Sequence, residues 1–117
     1  MKAVFILNDS PYGSERCFNA LTLAHTLLLS GAGMEVLIYL MGDAVACSKE
    51  GQVTSSKKYN LEGIAKGFTA DGGKILACTD CMDERGLTGD ELSYGIWQGT
   101  LDELLVEVKD ADRVLTF

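Results

Sequence analysis

The chain is organised around apolar runs that are separated by turn-rich or helical segments. Residues 2–8 and 34–41 are almost continuously apolar rather than alternating, and shorter apolar runs occupy residues 74–77 and 113–117. Continuous runs of this length are typical of strands that are covered on both faces. A further short strand is predicted at residues 96–97.

Segments with apolar residues at helical spacing lie between these runs. Each follows a residue that can cap a helix, namely Ser14, Asn60 and Thr100. The first of these helices is predicted to end near Ser30, and its apolar stripe is so wide that we expect it to be largely buried, partly at a subunit contact. Asp43 is placed to cap a short helical turn.

Apolar strands that alternate with helices imply parallel βαβ units with right-handed crossovers. We therefore predict an α/β fold, a three-layer α/β/α sandwich with an open, mainly parallel sheet of about five strands. The 117 residues suffice for one core and are expected to form a single domain over residues 1–117.

Residues 48–58 carry no periodic apolar signal and are predicted to form the one long loop of the chain. Loops of this length in small domains are often functional or mobile. Lys49, Lys57 and Lys58 make this loop the best candidate for a docking surface, and a solvated loop without that role is the alternative.

Composition limits the classes of partner. Hydrophobic residues make up 47% of the chain, and the mean hydropathy of +0.12 is apolar for a small domain, so part of the surface is expected to be buried against other copies of the chain. The net charge of −7 argues against a nucleic-acid partner. The first apolar run ends at Asn8, too early for a signal peptide or a membrane span, so a cytoplasmic protein without a membrane partner is expected.

The segment Cys78-Thr79-Asp80-Cys81 directly follows the strand predicted at residues 74–77. Reactive groups in an open parallel sheet gather beyond the carboxyl ends of the strands. Chain order should therefore bring the thiols of Cys78 and Cys81 towards the same edge of the sheet as those of Cys17 and Cys47. For Cys17 and Cys47 we favour a buried, inert thiol. For Cys78 with Cys81, inert packing and redox or sulfur-transfer chemistry both remain open, because a second thiol can resolve a mixed disulfide or release a bound sulfur.

The charges near Cys78 are mixed. Arg85 would favour a thiolate, whereas the carboxylates of Asp80, Asp83 and Glu84 would oppose it. If the residues after Cys78 form a helical turn, amide groups at the start of that turn would stabilise an anionic sulfur.

Other sites are poorly supported. The loop after the first strand has no dinucleotide fingerprint and no phosphate-binding lysine, and nothing in the chain requires a flavin. A zinc site needs about four ligands, but the chain has one Cys-x-x-Cys pair and one histidine, His25, inside an apolar helix. A hydrolase lacks a second histidine, and a thioredoxin-type pair lacks its early βαβ context. We expect no metal and no cofactor.

Several segments together identify a family. They are distributed along the whole chain: Asn8-Asp9-Ser10-Pro11-Tyr12-Gly13-Ser14-Glu15, Leu40-Met41-Gly42-Asp43-Ala44-Val45, Tyr59-Asn60, Cys78-x-x-Cys81 with Arg85-Gly86, Gly99-Thr100-Leu101 and Val114-Leu115-Thr116-Phe117. In their order and spacing they resemble the DsrE/DsrF-like family, and within it the YchN-type branch, which is related to the sulfur-relay subunit TusD.

The resemblance implies an α/β/α sandwich that assembles as a homo-oligomer, commonly a hexamer in this branch. It also implies that Cys78 accepts a sulfane sulfur as a persulfide from a donor protein and passes it to an acceptor thiol. The resemblance carries over Cys78 alone, since Cys81 matches a second cysteine of the YchN-type pattern that TusD lacks. We expect Cys81 to aid release of the sulfur by forming a disulfide with Cys78, and Arg85 to favour the thiolate by its charge. The alternative is an oligomeric binding or redox-regulatory module without sulfur-transfer activity.

Overall fold

Five parallel strands form the centre of the molecule. The computed structural model describes all residues from 1 to 117. The strands are β1 (Lys2–Leu7), β2 (Glu35–Leu40), β3 (Lys74–Cys78), β4 (Ile96–Gly99) and β5 (Arg113–Thr116). They lie in the order β4-β3-β2-β1-β5, and every neighbouring pair is parallel. The predicted α/β fold with a parallel sheet of about five strands is confirmed.

Four α-helices cover the two faces of the sheet. They are α1 (Arg16–Leu28), α2 (Leu61–Ala70), α3 (Thr79–Asp83) and α4 (Leu101–Asp110). Because β1, β2 and β3 follow one another in a single direction, right-handed crossovers put α1 and α2 on the same face. The chain then returns from β4 to the far side of β1, which puts α4 on the opposite face, where it packs against β1. No helix of the chain combines the length and the apolar character that crossing a bilayer requires.

The three inner strands supply most of the core. In register across the sheet, Phe5 lies beside Ile38 and Ile38 beside Ile75, and all three side chains are buried. The side chains at alternate positions along these strands, such as Leu37 and Tyr39, point to the opposite face, which α4 covers, and they are buried as well. Burial on both faces explains why these strands are continuous apolar runs in the sequence.

Two of the predicted helix caps are present. The side chain of Asn60 accepts a hydrogen bond from the Gly63 amide at 3.1 Å, and the Thr100 hydroxyl accepts one from the Glu103 amide at 3.2 Å. The third helix differs from its prediction. The Ser14 hydroxyl does accept from the Arg16 amide at 3.2 Å, but the regular helix begins only at Arg16.

The first helix is less buried than its apolar stripe predicted. Its inward side consists of small and medium residues, Cys17, Ala20, Leu21 and Ala24, whereas Leu23 is exposed and so is Leu29, the residue just after the helix. The wide stripe therefore leaves apolar side chains on the surface of the single chain.

Short 3₁₀ helices at Gly42–Ser48, Lys57–Tyr59 and Gly89–Glu91 complete the chain. Asp43 lies inside the first of these rather than at its cap, because Gly42 adopts φ +54° and turns the chain directly after β2. The loop predicted at 48–58 is tied to the body through Gln52, whose side-chain amide donates to the Cys47 carbonyl at 2.9 Å. The Gln52 backbone amide donates to the Glu62 carboxylate at 2.9 Å.

Candidate functional site

The carboxyl ends of β1, β2 and β3 meet at one edge of the sheet, and the elements that follow them carry four free thiols. Because the sheet is parallel throughout, the loops after these strands necessarily emerge together. The thiols are found as two pairs, Cys17 with Cys47 and Cys78 with Cys81.

The pair formed by Cys17 and Cys47 is enclosed. Both residues are buried, and the Cys17 thiol donates to the Asp9 carbonyl at 3.2 Å. Hydrogen bonding to Cys17 together with burial raises the pKa of Cys47 well above its ordinary value. Hydrogen bonding with Cys47 lowers the pKa of Cys17 in turn, against the effect of burial. Burial of both residues fits the inert, packing role that we favoured for them, and that role stays a prediction.

Cys78 is the last residue of β3 and the N-cap of α3. Its sulfur accepts a hydrogen bond from the Cys81 amide at 3.4 Å, as a capping side chain does. The buried side chain of Met82 anchors the short helix in the core. Cys78 is 2% exposed, while Cys81, one turn further along the same helix, is partly exposed.

Opposing effects act on the Cys78 sulfur. Burial disfavours the thiolate, but hydrogen bonds from the thiol and the amide of Cys81 favour it. The Tyr39 hydroxyl and the Asp80 amide add further hydrogen bonds to the anion. Together these hydrogen bonds outweigh burial and hold the pKa of Cys78 below its ordinary value.

The opposite holds for Cys81. Burial and the neighbouring Cys78 sulfur raise the pKa of Cys81, although the Gly42 amide and the Arg85 charge pull that pKa down. The two shifts have opposite directions, so Cys78 loses its proton before Cys81 as the pH rises.

Arg85 lies beside Cys81. Its Nε donates to the Asp43 carboxylate at 2.9 Å, and its Nη1 donates to the Cys81 carbonyl at 3.1 Å. These contacts join the loop after β2 to the end of α3. Its charge acts on Cys81, and hydrogen bonds supply the stabilisation of Cys78. The carboxylates that the sequence set against Arg85, those of Asp80, Asp83 and Glu84, are exposed to solvent.

Tyr39 is the site residue that the sequence did not reveal. It is fully buried in β2, and its hydroxyl donates to the Gly99 carbonyl at 3.0 Å. Burial and the hydrogen bond with Cys78 raise the pKa of Tyr39, so it stays protonated. The available signal was a phenol inside an otherwise apolar strand, since a buried hydroxyl needs a partner.

The remaining polar groups form no second centre. His25 pairs with Asp71 at 2.7 Å and packs edge-on against Phe68, as a helix surface residue rather than a ligand. No group of three or more histidine, cysteine or acidic side chains is arranged to hold a metal ion. The largest groove runs along β4, beside Tyr94 and Trp97, and none of the cysteines lines it.

Comparison with known proteins gives a consistent result along the whole chain. The model of the DsrE/DsrF-like family matches residues 1–117. Protein YchN of Escherichia coli (strain K12) is 37% identical over 116 residues, which cover 99% of this chain and 98% of that protein. The uncharacterized protein MJ0989 of Methanocaldococcus jannaschii is 36% identical over 117 residues, covering 100% of both chains.

Solved structures agree with this result. The crystal structure of the E. coli ychN protein matches with a TM-score of 0.94 at 37% identity, over 100% of this chain and 99% of that chain. A protein of unknown function, MTH1491 from Methanobacterium thermoautotrophicum, matches with a TM-score of 0.81 at 14% identity, over 99% and 98%, and shows the shared fold alone. From its sequence and its fold, this chain belongs to the DsrE/DsrF-like family.

Proposed function

We propose that the protein is a sulfur carrier that holds sulfane sulfur as a persulfide on Cys78. The Cys78 thiolate attacks the outer sulfur of a donor persulfide, forms a new S–S bond and releases the donor as a thiolate. An acceptor thiolate then attacks the outer sulfur of the Cys78 persulfide, takes that atom and regenerates the Cys78 thiolate. No electrons are gained or lost by the carrier over the cycle.

The observation that carries this proposal is the hydrogen-bonded Cys78 sulfur at the end of β3. The thiolate is the nucleophilic form of cysteine, and the hydrogen bonds to this sulfur keep the pKa of Cys78 below its ordinary value. Membership of a family that includes sulfur-relay proteins supports the same reading.

Cys81 provides a second route for release. Its thiolate attacks the inner sulfur of the Cys78 persulfide, which expels hydrosulfide and forms a Cys78–Cys81 disulfide. Two equivalents of an external thiol then reduce that disulfide and are themselves oxidised to a disulfide. Burial raises the pKa of Cys81 and only its thiolate attacks, so we expect this route to be slower than direct transfer to an acceptor thiolate.

Access to Cys78 requires movement of α3. The sulfur is buried beneath a helix of five residues, Thr79–Asp83, and short elements open locally at low free-energy cost. The donor therefore reaches Cys78 in a transiently opened form, and the closed form shields the persulfide from solvent.

We also propose that the carrier works as a homo-oligomer, a hexamer by analogy with the branch it resembles. The support is an apolar surface around the edge strand β4, where Tyr94 is 91% and Trp97 is 68% exposed. Large exposed aromatic side chains are typical of protein interfaces.

Sulfur loading tests the carrier proposal. The reduced protein is incubated with a small-molecule persulfide, desalted and weighed by intact mass spectrometry, and a small thiol is then added. We expect a mass gain of one sulfur atom that is lost again when the thiol is added. The gain should vanish in Cys78→Ser and persist in the matched control Cys17→Ser. A wild-type protein that gains no sulfur while a known carrier does so overturns the proposal.

The second candidate is a redox-regulatory or binding module, and the near-complete burial of Cys78 is the observation that favours it. That function predicts no stable persulfide. It predicts instead that a mild disulfide oxidant converts Cys78 and Cys81 to an intramolecular disulfide and changes the oligomeric state. Loading without a change of oligomeric state distinguishes the carrier from this module.

A further inference from the structure

The Tyr39 hydroxyl sits where the ends of three strands meet. Tyr39 on β2 lies opposite Leu76 on β3, and side chains two residues apart on a strand share a face, so Tyr39 and Cys78 point to the same side of the sheet. Gly99 on β4 lies opposite Cys78 in the register. The hydroxyl donates to the Gly99 carbonyl at 3.0 Å. Because Gly99 lies opposite Cys78, this places the hydroxyl near the Cys78 sulfur, where hydrogen bonding to the anion lowers the pKa of Cys78.

A phenol hydroxyl has one proton to donate and can also accept. With Cys78 as a thiol, the sulfur does not need that proton, and the hydroxyl donates to Gly99. Once the sulfur has lost its proton it becomes a strong acceptor. A hydrogen bond to an ion is about twice as strong as one between neutral groups. The hydroxyl therefore forms a stronger hydrogen bond with the anionic sulfur than with the Gly99 carbonyl.

We propose that Tyr39 is a positioning residue whose hydroxyl proton turns from the Gly99 carbonyl to the Cys78 sulfur whenever that sulfur is anionic. No bond to carbon changes and no electron moves, since the hydroxyl only rotates about its C–O bond. The rotation of the hydroxyl does not depend on the proposed function. Its use does rest on that function, because it stabilises the anionic sulfur that accepts and releases sulfane sulfur.

The groups around Tyr39 keep its hydroxyl protonated, and burial is the largest cause. Glu103 faces it from α4, and its negative charge contributes to the raised pKa of Tyr39. Cys81 faces it from α3 and acts in the same direction. The phenol therefore remains protonated while Cys78 titrates, and it can serve as a donor but not as a base.

The test measures alkylation of Cys78 as a function of pH in wild type and Tyr39→Phe, without any sulfur donor. Fragment-ion mass spectrometry assigns the label to Cys78 or Cys81, which share one tryptic peptide because no lysine or arginine lies between them. We expect the midpoint for Cys78 to rise by about one pH unit in Tyr39→Phe, so that labelling below both midpoints falls about tenfold. The matched control Tyr59→Phe, in an exposed side chain away from β4, should leave the midpoint unchanged.

An unchanged Cys78 midpoint in a folded Tyr39→Phe protein overturns the inference. A second measurement covers the case in which this variant does not fold. Infrared difference spectra of the wild type, recorded across the Cys78 titration, should show a shift of a tyrosine C–O band that is missing in Cys78→Ser. A titration without that shift also overturns the inference.

Failure of the Tyr39 inference and failure of the carrier proposal give different results. A raised midpoint in Tyr39→Phe, in a protein that gains no sulfur from a persulfide, supports the role of Tyr39 and contradicts the carrier. A wild-type protein that loads sulfur, together with an unchanged midpoint in Tyr39→Phe, supports the carrier and contradicts the role of Tyr39.

Discussion

At the scale of single residues, the main feature is the inequality of two cysteines that are only three positions apart. The Cys78 sulfur accepts a hydrogen bond from the Cys81 amide at 3.4 Å. Burial opposes ionisation of this sulfur, but hydrogen bonding to its anion by Cys81 and Tyr39 outweighs burial and lowers the pKa of Cys78. Cys81 has the Cys78 sulfur as a neighbour, and its pKa is raised. This order of ionisation agrees with the proposed role of Cys78 as the nucleophile.

The two thiols should titrate in a fixed order. In the wild type, fragment-resolved alkylation should show Cys78 reacting as a thiolate at lower pH than Cys81. In Cys78→Ser the pKa of Cys81 should fall towards its ordinary value, because the anionic neighbour is gone and only burial still raises it. An unchanged Cys81 midpoint in that variant would show that the two sulfurs are not coupled.

The same inequality links pH to stability. Because the folded state lowers the pKa of Cys78, the ionised sulfur stabilises the native protein above the ordinary thiol pKa. This contribution is lost as the pH falls through the lowered value. Denaturant unfolding of wild type and Cys78→Ser should therefore show a stability difference that shifts in favour of the wild type as pH rises across this window. A stability difference that is independent of pH would mean that the folded protein does not stabilise the Cys78 thiolate.

At this scale the sequence predicts the position of a residue along the chain better than its contacts in space. The position of Cys78 after an apolar run predicted a thiol at a strand end, and that is where it lies. The contacts of Tyr39 and the Arg85–Asp43 ion pair were not predictable in the same way. Both depend on which strands and loops become neighbours in space, and local periodicity carries no information about that.

At the scale of secondary-structure elements, the short helix α3 follows Cys78 directly. It has five residues and is held in the core by Met82, and Cys78, its N-cap, is 2% exposed. A helix this short has little stability of its own and depends on packing. In the proposed function, local opening of α3 is the step that exposes Cys78.

Gating by α3 has a kinetic signature. When the reaction with an alkylating reagent becomes faster than reclosing, the rate becomes limited by opening. We expect the labelling rate of Cys78 to reach a plateau with increasing reagent, whereas that of the partly exposed Cys81 should keep rising linearly. Parallel linear dependences for both thiols would contradict gating.

The start of α4 supplies a test of local stability. The hydroxyl of Thr100 accepts from the Glu103 amide at 3.2 Å, and the Glu103 carboxylate accepts from the Thr100 amide at 3.2 Å. Thr100→Ala should lower the free energy of unfolding by about 1 kcal/mol, measured by urea denaturation. Thr100→Ser keeps the oxygen and should cost much less; an equal loss in both variants would argue against the cap.

Helix starts are the elements that the sequence predicted best. Thr100 and Asn60 are followed by regular apolar spacing, and both cap helices as predicted. Asp43 was predicted in the same way but does not cap, since Gly42 already turns the chain at φ +54°. A left-handed glycine next to a potential cap changes which residue begins the helix, and the propensities alone do not show this.

At the scale of the whole molecule, the alternation of apolar runs and helices sufficed to predict the parallel sheet and its layers. The strand order β4-β3-β2-β1-β5 follows from right-handed crossovers once the return of the chain to the far side of β1 is known. That return is not encoded in any local pattern. Relatives of nearly equal length with a TM-score of up to 0.94 share the architecture.

The surface around β4 leads to a prediction about assembly. Trp97→Lys places a charge on an edge strand within the proposed interface, and a central aromatic residue at an interface commonly contributes about 2 kcal/mol or more. Native mass spectrometry should show a homo-oligomer for the wild type and smaller species for Trp97→Lys. The control Val53→Lys, in the exposed loop, should assemble normally. A monomeric wild type, or an intact assembly of Trp97→Lys, would contradict this interface.

The cysteine on which sulfane sulfur is held can be identified directly. The protein is loaded with isotopically labelled sulfane sulfur, blocked with an alkylating reagent under conditions that open the chain, digested and fragmented by mass spectrometry. We predict that the label is found on Cys78, as an alkylated persulfide, with Cys81 carrying a plain thioether. A label on Cys81 alone, or on none of the cysteines, would contradict the central claim that Cys78 is the sulfur acceptor.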